Sequence, residues 1–99
     1  MTTNEAIRQL ARDMILEIDR FVIEAVSVDH LSSTLKVLLA AMAEAQADAE
    51  WIGELRSLRN EIEYVSAFWL ESGREGLDAD ERRVALEAAQ EMRAALAEV

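Results

Sequence analysis

Residues Leu31 to Leu70 have the sequence LSSTLKVLLAAMAEAQADAEWIGELRSLRNEIEYVSAFWL, and the fold of the whole chain depends on them. Apolar residues recur in it at steps of three or four, it contains no proline, and Gly53 is its one glycine. This spacing places the apolar side chains along one face of an α-helix. In chain order the apolar stripe consists of Leu31, Leu35, Leu38, Met42, Ala45, Ala49, Ile52, Leu55, Leu58, Ile62, Val65 and Trp69. We therefore expect residues 30–71 to be helical and the rest of the chain to pack on them.

The stripe changes phase between Ile52 and Leu55, where a step of three stands in place of the expected four. One missing residue rotates a stripe by about 100° around the helix axis. Gly53 lies within this join, and a glycine in a helix interior costs about 1 kcal/mol relative to alanine. The segment is therefore either a continuous or merely kinked helix, about 60 Å long, or two helices separated by a kink or break at 50–53. We favour the continuous helix.

Shorter amphipathic helices are predicted on either side, over about residues 4–26 and 79–98, from apolar residues at the same helical spacing. The scarcity of glycine and the absence of proline in the sequence argue against strand-and-turn architectures. We expect an all-α fold in one domain, 1–99, with three helices, or four if the central helix breaks. Two short helices cannot cover a continuous central helix, so we also expect a homodimer.

Short polar residues and glycines mark the helix ends. Ser27 or Asp29 can cap the second helix, because a short side-chain oxygen accepts from the exposed backbone N–H groups. Gly73 and Gly76 can adopt the left-handed conformation that closes a helix. Asp78 has a glutamate three positions later, which is the spacing of a capping box. These signals place the start of the last helix near residue 79.

Composition limits the classes of function. Twenty acidic against ten basic residues leave a formal charge of −10 in 99 residues. Such a surface repels phosphate backbones and anionic lipid, so we expect neither direct nucleic-acid binding nor membrane binding. No apolar run approaches the length of about 18 residues that a spanning helix needs. The polar first residues predict neither a secretory signal nor a transit peptide, so we expect a cytoplasmic protein.

No pattern in the sequence predicts catalysis, and we expect no catalytic residue, metal site or cofactor. The chain has no cysteine and one histidine, so it lacks a thiol nucleophile and the ligands of a bundle di-iron centre. His30 could in principle accept a phosphoryl group, as in helical phosphotransfer domains. Those domains place a lysine three residues later, where this chain has Ser33. We therefore interpret His30 as a surface residue in the first turn of a helix.

Four of the five aromatic residues lie between Trp51 and Trp69, and glutamates surround them. Tyr64 and Phe68 lie four residues apart, one step around the helix from the apolar stripe. They could belong to a broad buried face, or they could form an aromatic contact surface rimmed by carboxylates, which is typical of protein-binding hot spots. The candidate partner-binding residues are Trp51, Glu54, Glu61, Glu63, Tyr64, Phe68 and Glu71.

The sequence Trp51-Ile52-Gly53 is a W-x-G motif near the middle of a helical chain of about the right length. In this it resembles the small helical-hairpin proteins exported by type VII secretion, in which W-x-G marks the turn between two helices. The resemblance covers these three residues and the chain length. It implies a self-associating, secretion-associated helical protein. The family's C-terminal tyrosine-based export signal is missing, because Tyr64 is the one tyrosine.

The residues themselves favour a non-catalytic, acidic, helical protein-interaction module that binds a basic surface of a partner protein. Inhibitors of the immunity-protein, antitoxin or phage-encoded blocker type act in this way, and their carboxylates can stand in for nucleic-acid phosphates. The alternative is a self-associating structural or type VII secretion-associated protein. In that case the chain would dimerise through the stripe from Leu35 to Ile52, and the acidic face would serve solubility alone.

Overall fold

Four α-helices make up the computed structural model, which describes residues 5–99. They are α1 (Glu5–Val22), α2 (Val28–Glu44), α3 (Ala49–Ser72) and α4 (Ala79–Leu96). Consecutive helices pack side by side, and α4 also packs on α1, so the four helices close a ring around one core. The described residues contain no strand, and none of their helices is both long and apolar enough to cross a bilayer. The predicted all-α fold is confirmed.

The chain reverses direction at residues 45–48, between α2 and α3. Gln46 adopts the left-handed conformation there, with φ 66°. Backbone N–H groups of the turn donate to two carbonyls in the last turn of α2, the pattern of a Schellman closure. Asp48 then caps α3, because its side chain accepts a hydrogen bond from the Trp51 N–H at 3.0 Å. Residues of the turn therefore supply hydrogen bonds to free backbone groups at both helix ends, and the turn contains neither glycine nor proline.

The preferred prediction, one continuous helix over 30–71, is wrong. A break exists, but it precedes the predicted position at 50–53. Gly53 lies inside α3 rather than at the turn. The change of phase between Ile52 and Leu55 is thus accommodated within α3, where both side chains are buried.

The apolar stripe of the central segment is buried inside the chain's own bundle. The α2–α3 hairpin folds its two halves toward each other, and α1 and α4 complete the cover. The buried core comprises Ile7, Ala11, Met14, Ile18, Phe21, Val28, Leu31, Leu35, Leu39, Met42, Ile52, Leu55, Ile62, Val65, Ala85, Ala88, Ala89, Met92 and Leu96. Since no long helix is left uncovered, the reason for expecting a homodimer no longer applies. In the stretch from Leu35 to Ile52, Leu35, Met42 and Ile52 are buried, Leu38 and Ala45 are half-buried against the core, and Ala49 is exposed.

The first helix ends earlier than predicted, at Val22 instead of Val26, and the predicted start at residue 4 lies outside the described residues. Glu24 takes the left-handed conformation, with φ 63°. Its N–H and that of the next residue donate back into the last turn of α1, which closes the helix. Arg82 from α4 donates to the Val22 carbonyl at 3.3 Å and so satisfies a free acceptor at this end.

Three predicted helix ends are confirmed. Ser27 caps α2 by accepting from the His30 N–H at 3.1 Å. Gly73, with φ 72°, closes α3 in the left-handed conformation. Asp78 and Glu81 form a full capping box at the start of α4. These helix ends could be predicted because each depends on a short side chain or a glycine at a fixed position.

Candidate functional site

The outward face of α3 carries a continuous line of exposed residues at steps of three or four. We call this line the outer stripe. It consists of Glu50, Gly53, Ser57, Glu61, Tyr64, Phe68 and Glu71, all of them exposed. On the opposite side of the same helix, Leu55, Ile62 and Val65 are buried in the core. Their burial fixes the rotation of α3 and so turns the outer stripe toward solvent.

Tyr64 and Phe68 form the apolar centre of the outer stripe. Their side chains are 70% and 57% exposed, and their rings stack on each other with centroids 5.9 Å apart. Of the two interpretations open at the level of sequence, burial in the core and exposure at a contact surface, the structure shows exposure. Exposed aromatic pairs of this kind offer large apolar area at a small cost in side-chain entropy, as binding hot spots require.

The carboxylates on the outer face of α3 have no cationic partner within residues 5–99, and two of them, Glu61 and Glu71, flank the aromatic pair. Glu50, Glu61 and Glu71 in the outer stripe, and Glu54 beside it, take part in none of the ion pairs of the described residues. Most arginines are engaged elsewhere: ion pairs occupy Arg12, Arg20, Arg59, Arg74, Arg82, Arg83 and Arg93. The outer stripe therefore presents uncompensated negative charge.

The negative surface continues onto α4. A shallow groove of about 690 Å³ runs between α3 and α4 and is lined by Glu61, Glu87, Gln90 and Glu91. Glu87 lies 3.6 Å from Arg83, whereas Glu91 has no ion pair among the described residues. The sequence prediction missed Glu87 and Glu91. Their i, i+4 spacing was visible, but only the packing of α4 beside α3 brings them next to Glu61.

Two of the predicted partner-binding residues lie elsewhere. Trp51 is partly buried and packs against the core, on the side of α3 away from Tyr64. Glu63 accepts hydrogen bonds from the buried Ser32 hydroxyl and from the Arg59 guanidinium, the latter at 3.0 Å. Arg59 also donates to the Ser32 carbonyl, at 3.2 Å. Trp51 and Glu63 thus serve packing and the α2–α3 contact, while Glu54 lies exposed beside the outer stripe.

His30 contacts a buried carboxylate. Its Nε2 lies 2.9 Å from Oε2 of Glu17, which is 4% exposed, and Arg20 lies 3.4 Å from the other oxygen of that carboxylate. A carboxylate that is buried this deeply is costly unless cations or donors surround it. The prediction of a first-turn position for His30 is confirmed, and its contact with Glu17 joins α1 to α2.

A cleft of about 310 Å³ opens at the end of the bundle, between the α1–α2 and α3–α4 loops. Phe21, Trp69 and Leu77 form its apolar walls, and Arg82 and Glu75 line its polar side. The Arg82 guanidinium lies 5.8 Å from the centre of the Phe21 ring, within range of a cation–π contact. The indole N–H of Trp69 is buried here and has no hydrogen-bond partner within residues 5–99.

Within residues 5–99, no group of three or more His, Asp or Glu side chains is arranged to hold a metal ion.

The W-x-G motif lies in the first turns of α3, directly after the 45–48 turn. The α2–α3 hairpin to which it belongs is one half of a four-helix bundle, whereas the resemblance implies a two-helix hairpin. Comparison with protein-family models, with curated proteins and with solved structures yields no match.

Proposed function

We propose that this protein is a non-catalytic interaction module that binds a basic surface of a partner protein through the outer stripe of α3. The observation that supports this most directly is the exposed, stacked Tyr64–Phe68 pair, with carboxylates on both sides that have no ion pair in the described part of the chain. The carboxylates alone would not support the proposal, because solvated glutamates are common on helices. Exposed aromatic residues alone would not support it either, because single ones need no explanation. Together they supply the apolar centre and the charged rim of a protein interface.

The aromatic pair and the carboxylates contribute to binding in different ways. Tyr64 and Phe68 provide the affinity, because covering them removes apolar surface from water. Glu50, Glu61 and Glu71, together with the net charge of −10, attract a basic partner over distances of about 10 Å at 0.1 M salt. Such steering can raise association rates from about 10⁵–10⁶ to 10⁸ M⁻¹s⁻¹ or more.

Binding of this kind blocks the surface it covers. If the partner uses its basic surface to hold nucleic acid, the carboxylates of the outer stripe and of the α3–α4 groove compete by standing where phosphates would stand. The protein then acts as an inhibitor, in the manner of an immunity protein or an antitoxin. No catalytic step is required of any residue in this proposal.

Affinity capture with three forms of the full chain tests the proposal. The forms are wild type, the double variant Tyr64→Ala/Phe68→Ala, and Val37→Ala as a control, since Val37 is an apolar residue 68% exposed on α2. We expect wild type and control to retain a basic protein, and the double variant to lose it. With the purified partner, the affinity should fall as salt rises. Recovery of neutral or acidic partners alone, with binding indifferent to salt, would contradict the proposal.

A further inference from the structure

The presence of a glycine at position 53 in the outer stripe is not explained by the chain's own packing. It lies in the body of α3 with an ordinary helical backbone, where alanine would be more favourable. A Cβ atom added there would meet nothing within 4 Å. No turn, left-handed conformation or close neighbour within the described chain requires a glycine. The missing side chain leaves a shallow place on an exposed surface.

The outer stripe thus changes in height along its length. Gly53 and Ser57, one helical turn apart, form a low section, and Tyr64 and Phe68, again one turn apart, form a high section. The distance between two packed helices depends on the side chains at their contact, and small residues allow a close approach. The whole stripe extends from Glu50 to Glu71, about 30 Å along the axis. A long, straight, stepped surface of this kind matches another helix better than a loop.

The carboxylates of the outer stripe indicate that a helix bound there would be positively charged. Glu50, Glu61 and Glu71 follow one another at intervals of ten or eleven residues, which corresponds to about 16 Å, or three helical turns. A helix lying along the stripe would meet one carboxylate every three turns, and none of these three carboxylates has an ion pair within residues 5–99. Lysine or arginine side chains repeated at this interval would pair with them, and could also lie over the faces of Tyr64 and Phe68.

We propose that the outer stripe receives a basic amphipathic α-helix of the partner, with a large apolar side chain of that helix seated on Gly53 and Ser57. This rests on the proposed function and adds the kind of element that binds. A second copy of the chain is the competing occupant. An antiparallel copy would place Phe68 on Gly53 and Tyr64 on Ser57, but the same register sets Glu50 against Glu71. It also brings the two Glu61 side chains together at the centre, and such like-charge contacts oppose self-association.

The test uses a labelled synthetic helix of leucine, alanine and lysine, as long as the stripe (about 20 residues), with its lysines spaced to meet the three glutamates. Fluorescence anisotropy measures its affinity for the full chain as wild type, Gly53→Ala, Gly53→Leu and Ala40→Leu. Ala40 is an exposed position on α2 and serves as the control. A second peptide differs from the first in one residue, a proline in place of a central alanine, which breaks the helix.

We expect Gly53→Leu to weaken peptide binding at least tenfold and Ala40→Leu to leave it unchanged. Gly53→Ala should raise the Tm of the free chain while weakening binding, a combination that a purely structural role for Gly53 does not produce. The proline peptide should bind at least tenfold more weakly than the helical one.

Three outcomes would overturn the inference: equal binding by wild type and Gly53→Leu, equal binding of both peptides, or no peptide binding at all. Sedimentation velocity tests the competing occupant, a second copy of the chain. A wild-type dimer that Gly53→Leu dissociates would also overturn the inference. The proposed function fails separately, when loss of Tyr64 and Phe68 leaves capture of a basic partner intact. The two failures are therefore distinguishable.

Discussion

Replacing Tyr64 and Phe68 together by alanine should cost little stability, although both are large aromatic residues. Full burial of a phenylalanine is worth about 1.5–3 kcal/mol, but Phe68 is 57% and Tyr64 70% exposed. Their contact on one helix face adds about 0.2–0.5 kcal/mol. Alanine returns several tenths of a kcal/mol at each position through its higher helix propensity. The double variant should therefore lose about 1 kcal/mol or less of the free energy of unfolding.

Leu55→Ala is the matched core substitution on the same helix. Leu55 is fully buried, so its truncation should cost about 3–5 kcal/mol through lost burial and the cavity left behind. Urea denaturation followed by far-UV circular dichroism measures both variants against wild type, with unchanged m-values as the check on two-state unfolding. If the double variant loses as much stability as Leu55→Ala, the aromatic pair belongs to the core and the outer stripe does not face solvent.

Three further substitutions test individual contacts. Asp78→Ala removes half of the capping box of α4 and should lower the free energy of unfolding by about 0.5–2 kcal/mol in the same urea assay. Arg93 holds the pKa of Asp19 below its ordinary value of 3.8 by donating hydrogen bonds to it. This contribution is present above pH 3.8 and disappears as the pH falls through the lowered pKa. The Tm difference between wild type and Arg93→Gln should therefore shrink on acidification, and a constant difference would refute the pairing. Trp69→Phe removes part of a ring that packs against the core, together with an indole N–H that has no hydrogen-bond partner within residues 5–99. Its cost should therefore be that of lost ring packing alone, about 2 kcal/mol or less in the urea assay. A clearly larger loss would show that the N–H has a partner.

The helical class and much of the core could be predicted from the sequence, because the spacing of apolar residues reports directly which face of a helix is buried. The stripe through Leu35, Met42 and Leu55 is buried as the spacing indicates. Helix ends marked by Asp78 or Gly73 were predictable for the same reason, since the signal and its physical cause are local.

The turn at 45–48 could not be predicted, because its residues favour helix. Alanine and glutamine are good helix formers, and the one left-handed residue is Gln46 instead of a glycine. The hairpin forms because folding α3 back on α2 buries both halves of the stripe, a gain that no local rule contains. The one local sign of this turn is Asp48, a residue type that favours the start of a helix and that caps α3 by accepting from the Trp51 N–H.

The candidate site was predicted in part for a similar reason. Tyr64 and Phe68 were singled out by type and spacing, but their exposure depends on which side of α3 the core occupies. Trp51 and Glu63 have the same residue types as the outer stripe and differ from it only in their direction around the helix. Gly53 drew attention as a potential break, while its position on an open helical surface became apparent only in the folded chain.

Binding of a basic helix along the outer stripe can be observed residue by residue in an NMR titration of the isotopically labelled chain with the lysine-bearing synthetic helix. Backbone amide shifts should change mainly between Glu50 and Glu71 on α3, with smaller changes near Glu87 and Glu91, and should revert as salt is added. Changes concentrated on α1 and α2, or spread evenly over all acidic residues, would contradict binding at the outer stripe.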